Sequence, residues 1–253
     1  MKIKCAIVTV MLIIATIFIT GSSINSNIKT ETKDNIISWC RGNIDNTGDK
    51  LFVVAGNGYD ELKNINYGDR LLVYDVQGEL PKIEKVTDTA KLGEPLYVFD
   101  LADLKPLKVQ IGDVNGDGVK EIALCVYKTT YFHPVMAKRP FFYDLVNGEL
   151  KPVWLGSRLS HPFLDYILVD IDDDGEDELI SIDVLENNHY SLYAYKWKGF
   201  GFTVYARSDK FKRIGSLQKA EDNKIKVEIF FNDKETEVTF KYTGNERLEI
   251  TED

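Results

Sequence analysis

Apolar residues along this chain fall into short runs that predict β-strands rather than helices. Residues 122–127 and 167–169 are continuously apolar, which is typical of strands buried on both faces. Residues 224–231 and 235–242 alternate polar and apolar side chains on either side of an Asn-Asp-Lys turn, which indicates a hairpin with one face in solvent. No segment after residue 35 has the 3.6-residue period of an amphipathic helix, so the pattern predicts an all-β fold.

Two landmarks recur three times in step along the chain. The first is a loop rich in Asp, Asn and Gly, at residues 43–51 (the first loop), 113–121 (the second loop) and 170–178 (the third loop). The second is an aromatic strand around Tyr74, Tyr143 and Tyr195, which follow the starts of the three loops by 31, 30 and 25 residues. Such units in series predict a small or incomplete β-propeller with three recognisable blades and a C-terminal hairpin. Two packed sheets of the β-sandwich type are the alternative.

The second and third loops carry oxygen atoms at a spacing that suits a calcium ion. Positions 1, 3 and 5 are Asp or Asn, position 6 is Gly, and position 9 is Glu. The residues at positions 1, 3, 5, 6, 7 and 9 are Asp113, Asn115, Asp117, Gly118, Val119 and Glu121 in the second loop, and Asp170, Asp172, Asp174, Gly175, Glu176 and Glu178 in the third. Ca²⁺ takes six to eight oxygens, here from alternate side chains and the carbonyl of position 7, and glycine permits the sharp turn at position 6. A closing Glu at position 9 rather than 12 predicts that a strand follows, not a helix. Ordinary Asx turns without an ion are the alternative.

This D-x-[DN]-x-D-G-x-x-E pattern before a strand resembles the FG-GAP and VCBS-type repeats of β-propellers, including the calcium loops of integrin α-chains. The resemblance implies that Ca²⁺ binds two loops of this chain and stiffens their blades. It implies ligands at Asp113, Asn115, Asp117, Val119 and Glu121, and at Asp170, Asp172, Asp174, Glu176 and Glu178. With four carboxylates against three, the third loop is expected to bind more tightly than the second. The first loop departs from the pattern at Asn43, Thr47 and Leu51, so poor or no affinity is expected there.

The N-terminal segment has the pattern of a secretory signal peptide. Lys2 and Lys4 precede an uncharged apolar run at residues 6–20, and small polar residues follow it. The pattern predicts that residues 1–25 are a signal peptide or an uncleaved N-terminal anchor, residues 26–35 a linker, and residues 36–253 the repeat domain. The domain is therefore expected to be extracellular, either secreted or held at the outer face of the cytoplasmic membrane, with membrane contact only through an uncleaved N-terminal segment.

Composition narrows the classes of partner. The 253 residues include 31 Lys and Arg against 40 Asp and Glu, for a net charge of −9, which disfavours nucleic acid and anionic lipid but not cations. Of the three cysteines, Cys40 and Cys125 lie in strand-like runs, where a disulfide and two free apolar thiols are both compatible with the sequence.

Two segments outside the loops carry aromatic and cationic side chains that suit a sugar or an anionic group. Residues 128–142 contain His133 and Arg139, and residues 154–163 contain Arg158 and His161, which are candidate ligand contacts, with ordinary blade packing as the alternative. Motifs of zinc proteases, serine hydrolases and P-loop enzymes are missing from the sequence. The sequence therefore predicts an exported, monomeric calcium-binding β-repeat protein that acts without catalysis as a binding or scaffold module for a protein or glycan ligand at the cell surface. A secreted hydrolase that acts on cell-wall or exogenous glycan through residues 128–163 is the first alternative, and a purely structural surface protein is the second.

Overall fold

The computed structural model describes residues 34–44, 47–76, 86–231 and 234–251. The proposed signal segment and most of the linker lie outside these residues. Among the residues described, no helix is both long enough and apolar enough to cross a membrane.

The described chain forms four antiparallel sheets of four strands each, as an all-β repeat fold predicts. The first sheet contains β1 (Ile36–Gly42), β2 (Lys50–Ala55), β5 (Arg70–Asp75) and β6 (Tyr97–Asp100). The second contains β7 (Pro106–Gly112), β8 (Glu121–Thr130), β9 (His133–Val146) and β10 (Glu149–Leu155). The third contains β11 (Phe163–Val169), β12 (Glu178–Val184), β13 (Tyr190–Trp197) and β14 (Phe202–Arg207). The fourth contains β15 (Ile214–Lys219), β16 (Ile225–Phe231), β17 (Lys234–Tyr242) and β18 (Leu248–Ile250).

A two-stranded ribbon of β3 (Gly58–Asp60) and β4 (Ile65–Tyr67) lies between β2 and β5 along the chain. Three single-turn 3₁₀ segments, Thr89–Lys91, Ala102–Leu104 and Glu186–Asn188, complete the regular structure of the described residues.

The four sheets form a propeller-like ring with the first strand of each sheet at its centre. These innermost strands, β1, β7, β11 and β15, together line a central cavity of about 460 Å³. Apolar side chains fill the spaces between consecutive sheets: Phe52 packs with Leu124 between the first and second, Phe142 with Leu168 between the second and third, and Ile180 with Val227 between the third and fourth. The facing sides of consecutive sheets are therefore buried against each other, as in a repeat fold whose units contact their neighbours.

Both sequence landmarks occupy equivalent places in the first three sheets, which confirms the repeat. The three loops each join the innermost strand to the second strand, and Tyr74, Tyr143 and Tyr195 each lie on the third strand. The C-terminal hairpin is also confirmed, as β16 and β17, although Asn232 and Asp233 of its turn lie outside the described residues. It forms the middle of a complete fourth sheet, because β15 and β18 pair on either side of it.

The two cysteines of the domain are free thiols. Cys40 lies on β1 and Cys125 on β8, and burial raises the pKa of each thiol to about 12. They therefore act as apolar fillers, Cys40 between the first and second sheets and Cys125 between the second and third, which is the second of the two roles that the sequence allowed.

Candidate metal centres

The second loop is wrapped around the carboxylate of Asp113. The backbone N–H groups of Gly116 and Gly118 donate to its two oxygens at 2.7 and 2.8 Å. Both glycines have positive φ angles, 72° and 83°, so the turn uses the conformational freedom of the expected glycine at position 6 and of a second one at position 4. The side-chain oxygens of Asn115 and Asp117 accept further N–H groups of the turn at 2.9 and 2.8 Å.

Glu121 closes this loop from the start of β8. Its side chain is fully buried, and its Oε2 accepts the N–H of Val114 at 2.9 Å while Oε1 accepts Asn115 Nδ2 at 2.6 Å. Burial raises the pKa of Glu121 to about 7. One carboxylate oxygen from each of Asp113, Asp117 and Glu121 lies within 4.8 Å of the other two. These three carboxylates are therefore close enough together to hold one cation, and Val119, which is exposed, follows at the end of the turn.

Asp144 adds a fourth carboxylate that the sequence analysis missed. It lies on β9 directly after Tyr143, which pairs with Ile122, so antiparallel register places it across from Glu121. Burial and repulsion from Asp117 raise the pKa of Asp144, and Asp144 in turn raises the pKa of Glu121. Within the described residues, no Lys or Arg side chain forms an ion pair with Asp113, Asp117, Glu121 or Asp144, since Lys151, the partner of Asp144 on β10, pairs with Glu149 instead.

The third loop has the same backbone design. The N–H groups of Asp174 and Gly175 donate to the two oxygens of Asp170 at 3.2 and 3.0 Å, and Gly175 has a φ of 90°. Fully buried Glu178 accepts the N–H of Ile171 at 3.0 Å, just as Glu121 accepts that of Val114. Carboxylate oxygens of Asp170, Asp172 and Asp174 lie within 4.8 Å of one another.

The ammonium group of Lys196 lies among the carboxylates of the third loop. Its Nζ is 3.2 Å from Asp172 Oδ2, 3.0 Å from Glu178 Oε1 and 3.9 Å from Glu176 Oε2, and it also hydrogen-bonds Asp174. The Lys196 side chain is only 10% exposed. Burial by itself would lower the pKa of Lys196, but the surrounding carboxylates raise it above its ordinary value, so the group carries a full positive charge.

The first loop also holds a lysine ammonium. Its closing residue is Lys50, which pairs across from Gly42 as Glu121 pairs across from Gly112, because this loop is one residue shorter than the second. The spacing along the sequence indicates Leu51 as the closing residue, at position 9. The strand pairing corrects this, because Lys50 occupies the closing place. Lys50 is buried, its Nζ donates to Thr47 Oγ1 at 2.6 Å, and its strand partner is Asp75. Asp45 and Asn46 of this loop lie outside the described residues, and the poor or absent affinity expected for the first loop stays a prediction.

The second and third loops are joined to each other through Asp177. Its N–H donates to the carbonyl of Asp113 at 2.6 Å, and its Oδ2 accepts the N–H of Asp113 at 3.0 Å. Gly112, at the end of β7, makes this approach possible, because a Cβ there would lie 2.7 Å from Asp177 Oδ2. Two hydrogen bonds thus connect the start of the second loop with the end of the third.

The four candidate ligand contacts outside the loops lie in two places. His133 and Arg139 belong to the β8–β9 hairpin, while exposed Arg158 and partly exposed His161 belong to the connection between β10 and β11. Arg139 is fully buried and donates to the carbonyls of Lys128, His133 and Val135 at 2.6 to 3.1 Å. It therefore stiffens the hairpin from inside and does not present its guanidinium to a ligand, which corrects the expectation for this residue.

The tip of the β8–β9 hairpin is the most exposed apolar part of this region. β7 pairs with β8 as far as Val126 and β10 pairs with β9 as far as Phe141, so the hairpin extends beyond both neighbours. Tyr131 and Phe132 at its turn are 93% and 84% exposed, and Val135 and Met136 beside them are also exposed. Contiguous exposed apolar side chains of this kind are typical of interaction surfaces.

His161 meets a buried carboxylate. Its Nδ1 lies 3.2 Å from Asp183 Oδ2, and Asp183 also accepts the hydroxyls of Ser181 and Tyr195, both at 2.5 Å. Burial raises the pKa of Asp183 despite these hydrogen bonds. The His161 ring packs edge-on against Tyr193, with ring centroids 5.0 Å apart. Neither His161 nor Asp183 lines the central cavity.

Neither a protein-family model nor a curated protein matches this chain.

Proposed function

We propose that this chain is an exported, calcium-stiffened β-propeller-like protein that acts without catalysis as a binding or scaffold module at the cell surface. The observation that carries the proposal is the second loop, where three carboxylates lie close together and a fourth lies across the strand pair, and no Lys or Arg side chain of the described residues forms an ion pair with them. Uncompensated like charges at this range destabilise the folded state unless a cation binds or a proton is taken up. All-oxygen donors and a flexible loop favour Ca²⁺ over Mg²⁺.

The mechanism of calcium would be thermodynamic. An ion that binds the folded loop but not the unfolded chain stabilises the fold by mass action, by about 2.7 kcal/mol per site at a hundredfold excess over Kd. Because Asp177 joins the second loop to the third, calcium at one loop would order the end of two neighbouring sheets. A stiffened ring would hold its projecting hairpin in a fixed position.

We assign the recognition of a partner to the tip of the β8–β9 hairpin. Exposed Tyr131 and Phe132, held on a hairpin that Arg139 stiffens from inside, would offer aromatic faces to a protein or glycan partner at little cost in conformational entropy. The apolar segment at residues 6–20 supports export, because its length and flanking residues suit a signal segment.

Calcium binding is tested by melting the purified, chelator-treated protein with and without added Ca²⁺, together with metal analysis of the untreated protein. We expect bound calcium and a higher melting temperature with Ca²⁺. An unchanged melting temperature over the whole calcium range would contradict the metal role.

A secreted hydrolase remains the second candidate, and the contact between His161 and buried Asp183 is the observation that favours it. A buried carboxylate can orient an imidazole for proton transfer. Incubation of the protein with cell-wall glycan tests this function. Release of reducing ends that is lost in His161→Ala, with no change in melting temperature, would establish hydrolysis over the non-catalytic role.

A further inference from the structure

The closing residue of each loop and the residue across from it on the third strand form a pair, and the combination of charges in this pair differs among the first three sheets. In the second sheet Glu121 faces Asp144, so both members of the pair are acidic. In the third sheet Glu178 faces Lys196, because Tyr195 pairs with Leu179 in the same register. In the first sheet the closing residue is Lys50, and Asp75 faces it. The pairs of the first and third sheets therefore each contain one ammonium group, and the pair of the second sheet contains none.

The ammonium of Lys196 sits where a metal ion would have to sit. Its Nζ contacts oxygens of the residues at positions 3, 5, 7 and 9 of the third loop, which are four of the five positions that would supply ligands. Tyr205 also holds the Asp172 carboxylate in position, because its hydroxyl donates to Asp172 Oδ2 at 2.6 Å. The ring of Tyr205 also lies under the ammonium, with Nζ 5.1 Å from its centroid. The lysine is thus held by contacts on several sides.

A divalent cation could enter the third loop only if this ammonium left. Lys196 would then have to give up its carboxylate partners, or remain beside a second positive centre in a place with little access to water. The residues of the third loop thus do not fit a metal ion while Lys196 is in place, although their side-chain types match the pattern.

We propose that Lys196 is a tethered cation that replaces calcium in the third loop, so that the chain binds one calcium ion, at the second loop, with Asp144 as an additional acidic group of that site. The part that concerns Asp144 rests on the proposed calcium function, whereas the part that concerns Lys196 does not.

The test measures calcium stoichiometry by titration calorimetry and calcium-dependent melting for the full chain and two single variants. We expect one calcium per chain in the unaltered protein. Lys196→Met removes the charge but keeps the length of the side chain, so a second calcium should bind and the metal-free melting temperature should fall. Asp144→Asn should weaken calcium binding by about tenfold or more. Lys198→Met and Asp103→Asn change exposed side chains and serve as matched controls, with no change expected.

Lys196→Gln provides a second test in case Lys196→Met does not fold without metal, and refolding of either variant on addition of Ca²⁺ would itself support the inference. Two calcium ions in the unaltered protein, with no new site in either Lys196 variant, would overturn the tethered-cation role while leaving the calcium function intact. No calcium in the unaltered protein, but one in the Lys196 variants, would overturn the calcium function and leave the role of Lys196 standing.

Discussion

The second and third loops share a backbone but differ in how their negative charge is balanced. In both, an Asp at position 1 accepts two N–H groups of the turn and a buried Glu at position 9 accepts the N–H of position 2. The difference lies on the third strand, where one sheet has Asp144 and the other has Lys196. The comparison teaches that the residue pattern of a loop specifies its turn geometry, while a residue outside the pattern decides whether its negative charge is balanced by an ion pair.

The largest effect is expected from removing the tethered ammonium. Lys196→Ala should lower the free energy of unfolding in chelator by about 3–5 kcal/mol, because one partner of a buried ion-pair network is lost. Denaturant titration in chelator and in excess Ca²⁺ measures this loss, and Ca²⁺ should recover part of it. Lys198→Ala, on an exposed residue nearby, should cost less than about 0.5 kcal/mol. An equal loss in both variants would remove the distinction between the two loops.

The second-largest effect is expected from substituting the Asp at position 1, which is Asp113 in the second loop and Asp170 in the third. Asp113→Asn should abolish the stabilisation by calcium, about 2.7 kcal/mol at a hundredfold excess over Kd, because it weakens the only loop proposed to bind the ion. Asp170→Asn should leave the stabilisation by calcium in place, since Lys196 already neutralises carboxylates of the third loop. Unfolding curves with and without Ca²⁺ give both values. Loss of the calcium response in Asp170→Asn alone would reverse the assignment.

The response to calcium should also depend on pH. Burial raises the pKa of Glu121 to about 7, above its ordinary value of 4.5, so the folded protein keeps this proton at a pH where the unfolded chain has released it. Without metal, the contribution of Glu121 is therefore fully present below about pH 4.5 and is lost as the pH rises through about 7. Calcium needs the ionised carboxylate, so the calcium-induced rise in melting temperature should be larger at pH 7.5 than at pH 5. Glu121→Gln should remove this difference between the two pH values.

The smallest effect is expected at Asp144, where one substitution should change the free energy of unfolding in opposite directions without and with calcium. Without metal, Asp144→Asn should raise the free energy of unfolding by about 0.5–1 kcal/mol, because it relieves repulsion with Asp117 and Glu121. In saturating Ca²⁺ the same change should lower it, because a favourable carboxylate is lost from the site. Melting curves under the two conditions, with Asp103→Asn as the control, decide the matter. A stabilising effect under both conditions would place Asp144 outside the calcium site.

Most of the strands could be predicted because they depend on short-range patterns. Continuous apolar runs became β8 and the end of β11, and the alternating pair became β16 and β17. The fourth sheet was recognised only as a hairpin, because β15 and the three-residue β18 carry neither landmark and have weak patterns of their own. Their pairing depends on a neighbour that is already in place.

The candidate metal centres also combine features that could be predicted from local sequence with residues that could not. The turn at Asp113 and Gly118 and the inward Glu121 follow from spacing within nine residues, since hydrogen bonds between such near neighbours are local. Asp144 and Lys196 lie one residue after the landmark tyrosines, and that shared offset was the signal that could have revealed them. A count of carboxylates along the loop favoured the third loop as the tighter site, because it left out the ammonium that reaches in from β13.

The amino-acid sequence by itself determined the repeated β-units, the shape of the acidic loops and the acidic character of the chain, because alternation, glycine placement and charge act over a few residues. Only the tertiary structure decided which loop is neutralised from within, because antiparallel pairing brings Lys196 beside Glu178 and Asp144 beside Glu121 from residues 18 and 23 positions further along the chain. It also decided that Arg139 is buried while Tyr131 and Phe132 are exposed, because the burial of each side chain depends on how far β8 and β9 extend past their neighbours.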